Sequence, residues 1–180
     1  MKLTKFFIVT TTIASMGVFG AQAAEENTSA TAIESGTVNF QGIVTNSPCN
    51  IANDSVDQTV KFGHIGKANL DAGNEYAQEF KIKLEQCAFN QDKNFTIKFK
   101  GMSDTNKSEL KMIGAAKNVS VKLTTDEGKA ILIGTDIDSM GLKKGTNTLG
   151  FIAYAKKAEG ATEVTEGDFQ GKALFDITYN

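Results

Sequence analysis

Two cysteines, Cys49 and Cys87, and a single histidine, His64, are the residues whose chemistry could set this chain's function. A serine-type triad would need His64 beside a nucleophile and an orienting acid. His64 stands between Gly63 and Ile65 at the end of an alternating segment, where a surface turn residue is expected. Two cysteines and one histidine are too few for a four-ligand zinc site, and one histidine is too few for a copper–zinc dismutase site. Asp136-Ile-Asp138-Ser-Met-Gly141 opens like an EF-hand loop. Met140 then occupies position five, and Asn147 stands at position twelve, where a bidentate glutamate belongs. No glycine-rich phosphate loop is present. These residues give no reason to expect an enzyme, a cofactor, a metal or a small-molecule substrate.

The cysteines are best read through the compartment the chain reaches. Lys2 and Lys5 precede a short apolar run over residues 6–19, and Ala21-Gln22-Ala23 supplies small residues for cleavage. Residues 1–23 are therefore expected to be a secretory signal peptide, since the run is too short for a membrane anchor and leads into polar sequence. Two thiols exported to an oxidising compartment pair by default, so a Cys49–Cys87 disulfide is expected. In the loop-entropy description, closing that span constrains the unfolded chain by about 4 kcal/mol. Five Asn-x-Ser/Thr tripeptides begin at Asn27, Asn53, Asn94, Asn106 and Asn118. Such tripeptides arise by chance in Asn/Ser/Thr-rich β proteins and carry no inference.

Removing 23 of the 180 residues leaves 157, the size of a single domain. Loss of Lys2 and Lys5 leaves 17 lysines against 21 acidic residues, a net charge of −4. There is no arginine and no lysine cluster, so nucleic acid is not an expected partner.

The elements that must position these residues are strands. Residues 24–35 are small and polar, and disordered by composition. In residues 36–44 a period of two places Gly36, Val38, Phe40, Gly42 and Val44 on one face, the pattern of a strand burying one side. Pro48, the only proline, ends it beside Cys49. Alternation predicts further strands at Val56–Phe62, at Phe80, Ile82 and Leu84 running into Cys87, and at Phe95, Ile97 and Phe99. It predicts others at Val119, Val121 and Leu123, at Ile131 and Ile133, and at Leu149, Phe151 and Ala153, with a short edge piece at Leu110 and Met112. Residues 66–77 read as a loop with one helical turn, and residues 136–145 as a loop. The chain ends with Phe169, Gly171, Ala173, Phe175, Ile177 and Tyr179 on one face of a last strand. Seven or eight short strands without helical periodicity indicate an all-β, antiparallel β-sandwich. The cysteine spacing could suit an immunoglobulin-type bridge, but the tryptophan of such domains is absent.

Two arrangements of the ends remain open on the residues alone. Strand 36–44 could pair with strand 169–179 of the same chain and close the sandwich. Alternatively each sandwich lacks a strand and takes residues 36–44 from another molecule, since nine residues span about 30 Å, the length of a sandwich groove.

The sequence resembles a chaperone–usher pilin, the structural subunit of type 1 and P-type fimbriae. The resemblance rests on Gly36-Thr-Val-Asn-Phe-Gln-Gly42 with Cys49 seven residues later, and on Val56-Asp-Gln-Thr-Val60 with Gly63. It continues with the strand into Cys87, Gly145-Thr-Asn-Thr, Phe151-x-Ala153 and Gly167-Asp-Phe169. Gly167 stands fourteenth from the end, and Ala173-x-Phe175-x-Ile177-x-Tyr179-Asn180 has the family's penultimate tyrosine. The resemblance implies an immunoglobulin-like domain over 47–180 that lacks its final strand, preceded by an extension over 24–46 carrying a donor strand. It implies that Gly36, Val38, Phe40, Gly42 and Val44 form the inserting face. The receiving and chaperone-binding strand would carry Gly167, Phe169, Gly171, Ala173, Phe175, Ile177 and Tyr179. The implied partners are a periplasmic chaperone, an outer-membrane usher and identical or related subunits in a head-to-tail polymer. The implied destination, through the periplasm, is an extracellular fimbria that supports adhesion. A major shaft subunit fits best, with a minor adaptor as the alternative within the family. A self-contained secreted β-sandwich binding a carbohydrate or receptor is the alternative outside it.

Overall fold

The computed structural model describes residues 33–89, 94–138 and 141–179, so the expected leader lies outside the described residues. Contacts divide the chain into two units, Met1–Ile43 and Val44–Asn180. In the first, residues 33–43 form no helix or strand and are exposed throughout.

The second unit runs β1 (Asn50–Ile51), α1 (Asn53–Val56), α2 (Lys67–Asp71), β2 (Tyr76–Cys87), β3 (Phe95–Gly101), β4 (Leu110–Lys111) and β5 (Ile113–Gly114). It continues with β6 (Val119–Thr125), β7 (Asp136–Asp138), β8 (Gly145–Lys157), β9 (Phe169–Gln170) and β10 (Ala173–Tyr179). One sheet has the order β1-β2-β8-β6-β4, a second β10-β3-β7, and β5 pairs with β9. All these pairings are antiparallel.

The alternation in the sequence decides which side of each strand faces inward. Ile82 and Leu84 of β2, Phe95, Ile97 and Phe99 of β3, Val121 and Leu123 of β6, and Phe151, Ala153 and Ala155 of β8 are buried in one core. Across that core Phe99 meets Phe151 edge-on at 5.1 Å between ring centroids, and Phe80 stacks on Phe151 at 5.4 Å. Both are preferred aromatic geometries; the Phe99–Phe151 contact joins the two sheets, while Phe80 and Phe151 are neighbours within one sheet.

The expected Cys49–Cys87 bond is formed, with the Cα atoms 4.1 Å apart. It requires a change of phase in β2. With Ile82 and Leu84 inward, strict alternation would turn Cys87 outward. A bulge between Leu84 and Cys87, with Gln86 at φ 52°, adds one residue to β2 and returns Cys87 to the interior.

Four expected elements differ in the structure. Residues 56–62 are not a strand. Past β1, the edge of β2 is satisfied by side chains. The Ser55 hydroxyl accepts from the Lys83 N–H at 3.0 Å, and the Gln58 amide donates to the Lys81 carbonyl at 3.1 Å. The alternation still has its effect, because Val60 and Phe62 lie half-buried against the core. Residues 131–133 are not a paired strand. The Ile131 N–H bonds to Leu123 in one sheet and the Gly134 N–H to Phe99 in the other, so this stretch crosses between sheets and plugs the core with Ile131 and Ile133. Residues 136–138, expected as loop, form β7 against β3. The final strand is split into β9 and β10, which pair with different partners. Residues 66–77 do contain one short helix, α2.

Candidate functional site

The ladder of β10 is satisfied on one side. It runs from Ala173 opposite Gly101 to Tyr179 opposite Phe95, and among the described residues β3 is its only neighbour. An edge strand presents alternate N–H and C=O groups to whatever lies beside it and so templates another strand. Its inward residues Phe175, Ile177 and Tyr179 touch the core but are only half-buried, whereas Phe95, Ile97 and Phe99 opposite them are at most 2 % exposed. The Phe175 ring lies 6.4 Å from that of Phe99. On the outward face, Asp176 pairs with Lys100, and Lys98 pairs with Asp136 at 3.0 Å.

A second extended stretch also lies on this core without a ladder. Residues 57–66 form no strand, yet Val60, Phe62 and Ile65 pack on the core, and the Phe62 ring is 6.1 Å from Phe169. Phe169 thus belongs to β9 and contacts Phe62, separate from the β10 edge. Gly167 has its own structural reason. At φ +140° it passes so close to residues 115–116 that an added Cβ would lie 2.6 Å from the Ala115 Cβ and 2.7 Å from the Ala116 nitrogen. Gly171 is crowded in the same way by the Met112 side chain.

The predicted inserting face carries exposed apolar side chains. Val38 is 73 % exposed, Phe40 92 % and Val44 101 %. Gly36 and Gly42 would each meet nothing within 4 Å if given a Cβ. The structure brings the receiving residues 173–179 together as one edge, but it does not place residues 36–44 in any ladder.

The groups first considered for chemistry do not converge. His64 is exposed, and among the described residues no three His, Cys, Asp or Glu side chains gather to hold a metal ion. Among the same residues no helix is long and apolar enough to cross a membrane. One buried charge was not singled out by the sequence. Glu109 is 4 % exposed; its carboxylate pairs with Lys156 and accepts the Glu159 N–H at 3.1 Å. Burial alone would push the Glu109 carboxyl up. The Lys156 ammonium and the Glu159 N–H help to more than offset this, so it titrates below the ordinary glutamate range. A charged residue in an alternating edge segment gives no sequence signal that its partner lies 47 positions away.

A β-sandwich whose last strand lies at a sheet edge over an incompletely covered core, together with an apolar segment of strand pattern outside any ladder, fits the class of proteins completed by strand addition. Comparison with known proteins agrees. Residues 38–180 match the family model described as Fimbrial protein, and the chain belongs to that family. It is 36 % identical over 182 residues to the Fimbria A protein of Serratia marcescens, covering 99 % of each chain. Identity to the Major MR/P fimbria protein of Proteus mirabilis is likewise 36 % over 182 residues, with 99 % of each covered. Among solved structures, it is similar to the P pilus rod subunit PapA, with TM-score 0.69, 27 % identity, and coverage of 74 % of this chain and 100 % of that one. It is also similar to a chain from a chaperone–usher pilus, with TM-score 0.75, 30 % identity, and coverage of 84 % and 100 %. The fold is the immunoglobulin-like sandwich lacking its final strand, of the kind completed by a neighbouring subunit. The protein is a structural subunit of a surface fimbria, and subunits of this family polymerise with one another.

Proposed function

We propose that this chain is the major shaft subunit of its fimbria, and that it joins copies by lending residues 36–44 to the open edge of β10 in the next copy. Val38, Phe40 and Val44 enter as the apolar face, with Gly36 and Gly42 at the shallow points. Residues 173–179 receive them, and Phe175, Ile177 and Tyr179 are covered. Residues 57–66 supply the other border of the slot, which accounts for their packing on the core without a ladder. Backbone hydrogen bonds supply affinity, and each apolar side chain that is buried contributes about 1.5–3 kcal/mol. The contact is head-to-tail and does not close, so it makes a filament.

Before assembly the same edge needs a temporary cover, and a periplasmic chaperone lending a strand to 173–179 supplies it, with exchange at an outer-membrane usher. Export depends on the leader over 1–23, and the domain proper begins at about residue 47. The finished fimbria supports adhesion of the cell.

The single observation that carries this reading is the one-sided ladder of β10. Its test is complementation by a peptide spanning residues 33–46. A mature chain lacking residues 24–44 should bind that peptide, become markedly more stable and still form no fibres, as seen by calorimetry and electron microscopy. Fibres from the truncated chain would overturn the assignment.

A further inference from the structure

We propose that successive copies also meet through an ionic contact between poles, in which the Lys143–Lys144 turn of one copy docks on the acidic loop 158–168 of the next. This contact rests on the strand-exchange reading above and adds a second surface to it.

The two loops flank one strand. β8 spans Gly145–Lys157, which at strand rise makes it about 40 Å long. Just before it stand Lys143 and Lys144, both exposed and, among the described residues, without an ion pair. Just after it, residues 158–168 carry Glu159, Glu163, Glu166 and Asp168, all exposed, and no lysine. Opposite charge is therefore held at opposite ends of the longest strand.

Both loops are fixed in place. The Asn147 side chain accepts the Lys143 N–H at 2.9 Å and donates to the Lys143 carbonyl at 2.8 Å, which holds the lysine turn. In the acidic loop Val164 is 2 % exposed and its N–H donates to the Asp71 carboxylate at 2.8 Å, while the Asn118 amide donates to the Glu163 carbonyl at 2.7 Å. Nearby cations are largely committed. Lys156 is held by Glu109, and Lys157 donates to the Asp71 and Thr162 carbonyls. Lys67 pairs with Asp71 and Glu163, and Lys117 donates to the Gly114 carbonyl. Exposed Lys111, beside Glu159, and exposed Lys172 are exceptions. Surfaces that need no reordering lose less on association.

Register then says which poles can meet. Cys49 is bonded to Cys87, which faces Gly145, and the Ala88 N–H donates to the Pro48 carbonyl at 2.8 Å. The chain leading back to residue 44 therefore leaves from the lysine end. In β10, Ala173 faces Gly101, which lies against Leu110; Lys111 faces Ser120, and Val119 faces Lys157, so Ala173 lies at the acidic end and Tyr179 at the other. A lent strand running antiparallel to β10 exits at Ala173 and delivers the lender's lysine end onto the acidic loop. A parallel strand would exit at Tyr179 and bring lysine end to lysine end. Charge thus favours antiparallel insertion and gives each joint a direction, acting chiefly on the rate and salt dependence of joining.

The test is charge reversal in the mature chain. Lys143→Glu/Lys144→Glu and, separately, Glu159→Lys/Glu166→Lys should each slow joining at least about fivefold at low salt, followed by light scattering. The effect should fade as ionic strength rises from about 0.01 M to about 1 M, where the screening length falls from about 30 Å to about 3 Å. A chain carrying both reversals should join at close to the parental rate. Should a reversal perturb folding, Lys143→Gln/Lys144→Gln replaces it, with a smaller slowing expected. Unchanged rates, or slowing that the double reversal does not rescue, would overturn the pole contact. Binding of the 33–46 peptide separates the two claims. If the peptide complements every variant equally while the rates ignore charge, the contact fails and strand exchange stands. If the peptide does not bind the parental domain, both fall.

Discussion

β8 and β10 are written in the same code, apolar on every second residue, and meet different fates. β8 lies between β2 and β6, and its Phe151, Ala153 and Ala155 are at most 4 % exposed. Among the described residues β10 has β3 on one side only, and Phe175, Ile177 and Tyr179 remain half-buried. Residues 36–44 extend the series, having no ladder neighbour and a Phe40 that is 92 % exposed. An alternating pattern specifies which face wants covering; the number of neighbours decides how far that is achieved. The difference between β8 and β10 is thus the site itself.

The comparison can be broken most forcefully at its closed end. Phe151→Ala removes a ring packed between Phe80 and Phe99 and should cost about 3–5 kcal/mol in denaturant unfolding, with or without added peptide. A loss that the 33–46 peptide reverses would mean β8 is not the completed strand described here.

Next comes the unpaired segment. Phe40→Asp in the peptide forfeits an apolar anchor and forces a charge toward an apolar slot, so binding should weaken by at least about 100-fold, roughly 3 kcal/mol. Titration calorimetry showing parental affinity would remove Phe40 from the inserting face.

A buried charge sharpens the contrast from the side of the closed sheet. Glu109→Gln loses the pairing with Lys156 and should cost about 1.5–3 kcal/mol at neutral pH. The sign with pH follows from the direction of the shift. Glu109 titrates lower in the folded chain than in the unfolded one, so its stabilisation is complete above the ordinary glutamate value of about 4.3. It is lost as pH falls through the depressed folded value. Asp104, held low first by the Glu109 N–H, follows the same sign. The Gln variant should therefore lose stability less steeply than the parent on acidification, as read from melting temperature against pH.

The smallest expected effect lies at the open edge. Phe175→Ala should cost only about 1 kcal/mol in the uncomplemented domain, because half of the ring is already wet. Once the peptide is bound the same change should cost about 2–3 kcal/mol. Equal costs in the two states would show that the inserted strand does not cover this ring.

Much of the closed part was legible beforehand. Alternation located β2, β3, β6 and β8, and the export expected from residues 1–23 pointed to the Cys49–Cys87 bond, which is formed. Residues 56–62 misled because Val60 and Phe62 do bury one face, while Ser55 and Gln58 take the hydrogen bonds at the β2 edge that a strand would have taken. β7 was missed because three residues with one apolar side chain carry no period. Gly167 was noted for its place near the terminus, but its reason, the close passage of residues 115–116, needed coordinates.

The residue order by itself determined the all-β class, the inward faces and the two segments whose apolar stripes ask for a partner, because side-chain periodicity is a local property of an extended chain. Only the tertiary structure decided that, among the described residues, the last strand pairs with β3 alone. Adjacency arises from pairings between distant residues, such as Ala173 with Gly101, and no local pattern encodes which edge is left without one.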